Sequence, residues 1–159
     1  MILTDIAEFA AILPRTGALA GLDLGTRTIG VAISDLRRSV ATPVLTIRRE
    51  KFTIDVEKLL ALTTEREVVG LVLGLPINMD GSEGPRSQST RAFARNLEKL
   101  TDLPITFWDE RLSTVAAERA MLEADLSRKR RAELKDHVAA GIILQGVLDR
   151  LGFLGRADG

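Results

Sequence analysis

The chain switches between two hydrophobic periods, and each switch marks an element. Residues 18 to 24, 28 to 34 and 40 to 47 are strand-like apolar runs. A short glycine-containing turn joins the first two, which predicts an antiparallel hairpin. Pro43 removes a ladder donor from the third run and places it at a sheet edge. Val56, Leu59, Leu60 and Leu62 then recur at helical spacing and predict a helix over 54 to 66. Val68 to Leu73 is an unbroken apolar run, the pattern of a strand buried on both faces. A helix feeding such a strand predicts a right-handed crossover into parallel pairing. A polar, glycine-rich loop runs from Leu75 to about Ser87. A helix over roughly 88 to 100 follows, with Phe93, Leu97 and Leu100 on one stripe. Ile105 to Trp108 predicts a short strand. Ser113 or Thr114 can cap a helix to about Glu123, and a last helix is predicted from about Lys135 to Leu151. Ahead of all this, Ile2, Ile6, Phe9 and Leu13 predict a short amphipathic helix packed on its own domain. The sum is an α/β layered domain with a mixed sheet, in which 18–24, 68–73 and 105–108 run parallel.

Composition narrows the picture. The 159 residues suffice for one domain with a real core and are too few for two, and 45% hydrophobic residues make the chain globular. Formal net charge is zero, so any nucleic-acid binding comes from a local patch. The absence of cysteine excludes disulfides and thiolate metal sites. Asp5 and Glu8, with no basic segment, argue against a signal peptide. The longest apolar stretch, Val68 to Pro76, is too short to span a bilayer. The expectation is a cytoplasmic protein without membrane contact.

The candidate chemistry is acidic. Asp23 lies inside an apolar strand, where a carboxylate is costly unless it is paired or holds a metal. Asp109 and Glu110 end the predicted strand 105–108, at the same sheet edge as Asp23, where ligands of open α/β sheets collect. Asp136 shares a helical stripe with Ala140, Ile143 and Val147, so it is the polar tip of a face that packs on the sheet. Two carboxylates about 5 Å apart at an effective dielectric near 20 repel by roughly 3 kcal/mol. Three require a cation between them, and hard oxygen donors favour Mg²⁺ or Mn²⁺ over Zn²⁺. Such sites suit phosphodiester hydrolysis. Structural roles compete: Asp136 as a helix cap, Asp109 and Glu110 as partners of Arg111, and Asp23 as a brace for the turn at Gly25, Thr26 and Arg27. Strand alternation puts Asp109 with Ile105 and Phe107, and Glu110 with Thr106 and Trp108, and does not choose between them. The basic run Arg128, Lys129, Arg130 and Arg131, with Lys135, adjoins Asp136 and suits a polyanion. It is expected to lie between two helices and to order on RNA. Arg27 and Arg111 join it as candidate nucleic-acid contacts. The loop Gly74 to Ser82 leaves a buried strand at the same edge, with Asp80-Gly81 as its turn. His137 is rotated about 100° from Asp136 and is expected at the surface.

Four blocks together resemble the YqgF family of pre-16S rRNA nucleases, also described as Holliday-junction resolvase-like. They are GLDLGTRTIGVAISD (21 to 35), GLVLGLPINMDGS (70 to 82), WDERLSTVAAERAML (108 to 122) and KDHVAAGIILQ (135 to 145). The resemblance implies a ribonuclease H-like three-layer domain with a central five-stranded mixed sheet, over residues 17 to 155, preceded by an extension at 1 to 16. It implies a carboxylate-bound divalent metal held by Asp23, Glu110 and Asp136, with Asp109 beside them as the alternative. It implies trimming of the 5′ end of precursor 16S rRNA during ribosome maturation, with a ribosomal precursor particle as a partner. Competing expectations are a resolvase of branched DNA and a non-catalytic RNA-binding ribosome-assembly factor. The Asp-Leu-Gly-Thr turn also resembles the phosphate loop of actin-like ATPases and sugar kinases. Those need two such domains, and this chain has one.

Overall fold

The computed structural model describes residues 1–112 and 128–158, the side chains of 128–137 and 156–158 excepted. Its centre is a six-stranded mixed sheet of order β1-β6-β5-β2-β3-β4. The strands are β1 (Ile2–Leu3), β2 (Ala18–Leu24), β3 (Thr28–Ser34), β4 (Ala41–Arg48), β5 (Val68–Leu75) and β6 (Ile105–Asp109). The helices are α1 (Ile6–Ile12), α2 (Phe52–Glu65), α3 (Pro85–Glu98) and α4 (Arg128–Asp158). A 3-10 turn at Glu110–Leu112 follows β6.

The predicted hairpin forms, with β2 antiparallel to β3. The predicted parallel set forms as well: β2 pairs with β5, and β5 with β6, all running the same way. β4, carrying Pro43, lies at the sheet edge as expected. Every residue of β2 is buried, because helices cover both faces of the central strands. α2 and α3 cover one face, over a core that includes Leu22, Leu24, Leu71, Leu73, Phe93 and Leu97. α4 and α1 cover the other, with Phe9, Leu19, Val72, Trp108, Ile143 and Leu144. The result is the expected three-layer α/β domain.

Three expectations shift. The sheet has six strands instead of five, because Ile2 and Leu3 pair in parallel with Ile105 and Thr106. Two residues carry no readable period, so only the tertiary pairing shows this strand. Asp5 then caps α1, accepting from Ala7 N at 2.9 Å. The basic stretch at 128 to 131 is helical instead of forming a linker. Arg, Lys, Ala, Glu and Leu are all good helix formers, so propensity carries the helix where apolar periodicity is silent. Finally, Val138–Gly155 is long and apolar enough to cross a bilayer, with a mean hydropathy of 1.4. Its stripe Ala140, Ile143, Leu144 and Val147 is fully buried, as in the core helix of a folded domain. A Cβ built on Gly21 would fall 2.7 Å from Leu144 Cβ, so α4 lies directly on β2. The predicted helix from Ser113 or Thr114 to Glu123 lies outside the described residues.

Candidate active site

The carboxyl ends of β2, β5 and β6 share one edge of the sheet, and Asp23 lies there, 2% exposed. Side chains of paired strand residues project on the same face. Asp23 pairs with Gly30 on β3. On the other side Leu22 pairs with Leu73, so the next residue of β5, Gly74, lies beside Asp23. Neither neighbour has a side chain, so the Asp23 carboxylate lies in a buried trough between two glycines, with Ile143 and Glu110 filling the space over Gly74.

Glu110 enters the same trough. Gly74 pairs with Trp108, which faces α4 with the core on that side. Glu110, two residues on, keeps that facing as the chain leaves β6. A Cβ built on Gly74 would lie 3.0 Å from Glu110 Oε1 and in steric conflict with Ile143 Cδ1. The Glu110 carboxylate thus occupies the space above β5 that any other residue at 74 would take. The two acidic residues come from positions 87 apart in the sequence, and both lie beside Gly74.

Asp109 goes elsewhere. Its side chain takes Arg111 in a paired contact, from Nη2 to Oδ2 at 2.8 Å and from Nε to Oδ1 at 3.1 Å. The Arg111 side chain holds the Asp109 carboxyl below its ordinary range, and Asp109 in turn raises Arg111. Arg111 Nη1 also reaches Asn78 O at 3.5 Å. The structural role envisaged for the acidic pair therefore fits Asp109 and leaves Glu110 to the trough. The register of β6 on β5, with Gly74 opposite Trp108, is what turns Glu110 to the Asp23 side of the sheet.

Asp136 lies within α4, one turn before Ala140. Gln145 Oε1 accepts from Ala41 N, and Gly141 packs on Pro43. Ala41 is in register with Ser34, and Pro43 with Ala32, which pairs with Gly21. Going backward along α4 therefore leads toward the carboxyl end of β2, so residue 136 stands at the Asp23 edge. The side chains of Asp136, His137 and the basic set Arg128, Lys129, Arg130, Arg131 and Lys135 lie outside the described residues. Among the described residues no three acidic or imidazole groups assemble into a metal site. Arg27 is exposed at the tip of the hairpin, and its carbonyl accepts from Arg49 N at 2.8 Å.

The chemistry of the trough fits a hard divalent cation. Its donors are carboxylate oxygens from Asp23 and Glu110, hard ligands of the kind such an ion takes. A second buried carboxylate, Asp55, shows the contrast: it accepts from Glu50 N at 3.0 Å at the start of α2, a structural role.

The loop after β5 forms a hydrogen-bonded rim at this edge. Asn78 N donates to Ser82 O, and Gly81, at φ +89°, permits the turn. Asp80 accepts from Ser82 N at 2.9 Å and from Ser82 Oγ at 2.6 Å. These bonds hold its carboxyl below the ordinary value of 3.8. A depressed carboxyl gives its stabilisation above the unfolded value and loses it as pH falls through the folded one. The Ser82 amide is accordingly expected to keep one chemical shift down to the vicinity of pH 3.8 and to move only below it. A midpoint above 3.8 in an NMR titration would contradict the closed loop.

A mixed sheet in this order, with acidic residues at the carboxyl edge, is the ribonuclease H-like layout. The fold is similar to that of the structure titled "T. thermophilus RuvC in complex with Holliday junction substrate", with a TM-score of 0.53 and 10% identity, covering 86% of this chain and 96% of that one. A family pattern described as "RuvX: Holliday junction resolvase" matches residues 17–150. The chain is 76% identical over 159 residues to a Rhodobacter capsulatus protein named "Putative pre-16S rRNA nuclease", covering 100% of both. A Paracoccus denitrificans protein of the same name is 72% identical over 158 residues, covering 99% of this chain and 100% of that one. The class is thus that of nucleases, hydrolases of phosphodiester bonds. Within it, this chain belongs to the RuvX family, the YqgF family of the sequence resemblance.

Proposed function

We propose that this protein is a divalent-metal-dependent nuclease that trims the 5′ end of precursor 16S rRNA in the cytoplasm, on a ribosomal precursor particle. The observation that carries the reading is that Asp23 and Glu110 both lie beside Gly74, on one face and at the carboxyl edge of the sheet. The catalytic unit is residues 17–155, with 1–16 as an added arm beside β6. The names carried by relatives of high identity support the RNA substrate.

Asp23 and Glu110, joined by Asp136 from α4, would hold Mg²⁺ or Mn²⁺. When bound, such an ion offsets the charge on the phosphate and lowers the pKa of water near it. The chain's own contribution is placement. The buried strand fixes the Asp23 backbone, and Glu110 is aimed by the 3-10 turn. Asp109, tied to Arg111, orders the segment after β6 without entering the trough. Arg27, Arg128, Lys129, Arg130, Arg131 and Lys135 would supply backbone contacts, and Arg111 would do so from its pair with Asp109.

A second reading, cleavage of branched DNA, is favoured by the family description. Phosphate contacts carry no sequence information, so either polymer fits them. The test is side-by-side cleavage of a precursor 16S rRNA fragment and a four-way DNA junction by the wild-type protein with Mg²⁺ or Mn²⁺. Cutting of the RNA at its 5′ extension, at least tenfold faster than the junction, is the expected result. Junction cutting alone would transfer the function to DNA. Cutting of neither would leave the assembly-factor role, which binding to the precursor particle would then support.

A further inference from the structure

We propose that Arg49 and Arg86 form a seat for a nucleic-acid backbone phosphate, on the side of β2 opposite α4 and one residue from Asp23. The proposal rests on the nuclease reading and adds a contact point outside the acidic trough. Three observations carry it. Arg86 Nη2 donates to Leu24 O at 3.1 Å, and Arg49 Nη1 donates to Gly25 O at 2.6 Å, so two guanidinium groups sit on consecutive carbonyls. Among the described residues, neither has a carboxylate within ion-pair distance, unlike Arg91 and Arg111, which each hold one. Between them opens a groove of about 240 Å³, lined by Leu24, Gly25, Thr26, Pro85, Ser89 and Thr90 together with the two arginines.

Two adjacent cations beside a groove repel each other, and an anion placed between them removes that cost. A guanidinium has five N–H donors, so each arginine keeps donors to offer beyond its carbonyl contact. Arg49 is held in place by the Phe93 ring, 5.9 Å below its guanidinium carbon, and Phe93 is itself packed edge-on against Phe52 at 5.3 Å. Arg86 lies in the first turn of α3, where Gly84 provides no side-chain cap and the helix end adds positive potential. Arginine, planar and always charged, matches a phosphodiester's two free oxygens better than lysine does.

The position dictates the role. Leu24 directly follows Asp23 and faces the other side of the sheet, so the groove and the acidic trough flank the same carboxyl edge, and a strand of nucleic acid crossing that edge would meet both. The seat would fix the register of the strand and leave the bond-breaking step to the trough.

The test measures binding without cleavage. Full-length protein in EDTA is titrated against a labelled precursor 16S rRNA fragment, and separately against a four-way DNA junction, between 50 and 200 mM KCl. Arg86→Gln, on an exposed side chain, is expected to weaken binding about three- to tenfold and to lower the slope of log affinity against log salt by about one. Arg49→Gln should do the same, and Arg86→Lys and Arg49→Lys should recover most of the slope. Thermal melting of each variant identifies any that fails to fold, and Arg86→Gln alone then decides. An unchanged slope with affinity within about twofold of wild type for folded Arg86→Gln would overturn the seat, as would a wild-type protein that binds neither polymer. The outcomes separate from the substrate question. If only the junction binds and the slope still falls by about one, the seat stands and the RNA reading fails. If RNA binds and is cut but the slope is unchanged, the seat fails and the RNA reading stands.

Discussion

Asp23→Asn and Glu110→Gln are each expected to lower precursor cleavage by about 10³-fold while leaving a folded protein. Both substitutions keep the shape of the side chain and remove the charge, so they test electrostatics without opening a cavity. The magnitude follows from the role. Stabilisation of transition-state charge by a bound cation is worth several kcal/mol, and each ~1.4 kcal/mol is tenfold in rate. Loss of a ligand that helps to hold the ion should therefore remove roughly three powers of ten. Asp109→Asn is the internal control. It breaks the contact with Arg111, an exposed ion pair contributing at most about 1 kcal/mol, and should leave cleavage within about tenfold of wild type. Single-turnover cleavage at saturating Mg²⁺, with circular dichroism on each variant, makes the comparison. If Asp109→Asn and Glu110→Gln exchange their effects, the trough is held by Asp109 and its pair with Arg111 must open in use. If Asp23→Asn cuts at the wild-type rate, the acidic trough is not the catalytic centre.

Much of this arrangement is legible in the chain because its elements are strongly periodic. The hairpin strands fall at 18–24 and 28–34 both by pattern and in the structure. β2 and β5 are read easily because strands buried on both faces must be apolar throughout, which also makes Asp23 conspicuous. What escapes is whatever depends on tertiary contact. β1 is two residues long and exists only because β6 offers it an edge. α3 begins at Pro85 rather than near 88, since proline at the first turn marks a start that apolar spacing does not register. Arg49 and Arg86 lie 37 positions apart in unrelated segments and become neighbours only through the carbonyls of Leu24 and Gly25. The reading of Glu110 over Asp109 is intermediate. Alternation sorts the two acids onto opposite faces, but only the pairing of β2, β5 and β6 tells which of those faces is that of Asp23.

Gly74→Ala should damage both stability and activity, and the two losses are expected to separate in a double variant. A methyl group at 74 enters space held by Ile143 Cδ1 and lies 3.0 Å from Glu110 Oε1. Forcing extra volume into packed surroundings costs typically 1–3 kcal/mol, read as a lower denaturant midpoint at unchanged slope. The same methyl pushes the Glu110 carboxylate away from Asp23. A displacement near 1 Å in a catalytic constellation can cost on the order of 10²-fold in rate. Adding Ile143→Val removes Cδ1, the nearest atom, and leaves Cγ1 at 3.0 Å, so Gly74→Ala/Ile143→Val should regain part of the lost stability. It does nothing for the crowding at Glu110, so the rate should stay low. A double variant that recovers both would mean that the glycine serves only the packing of α4 on β5. Full activity in Gly74→Ala alone would mean that the Glu110 carboxylate does not need the place above β5 where it now lies.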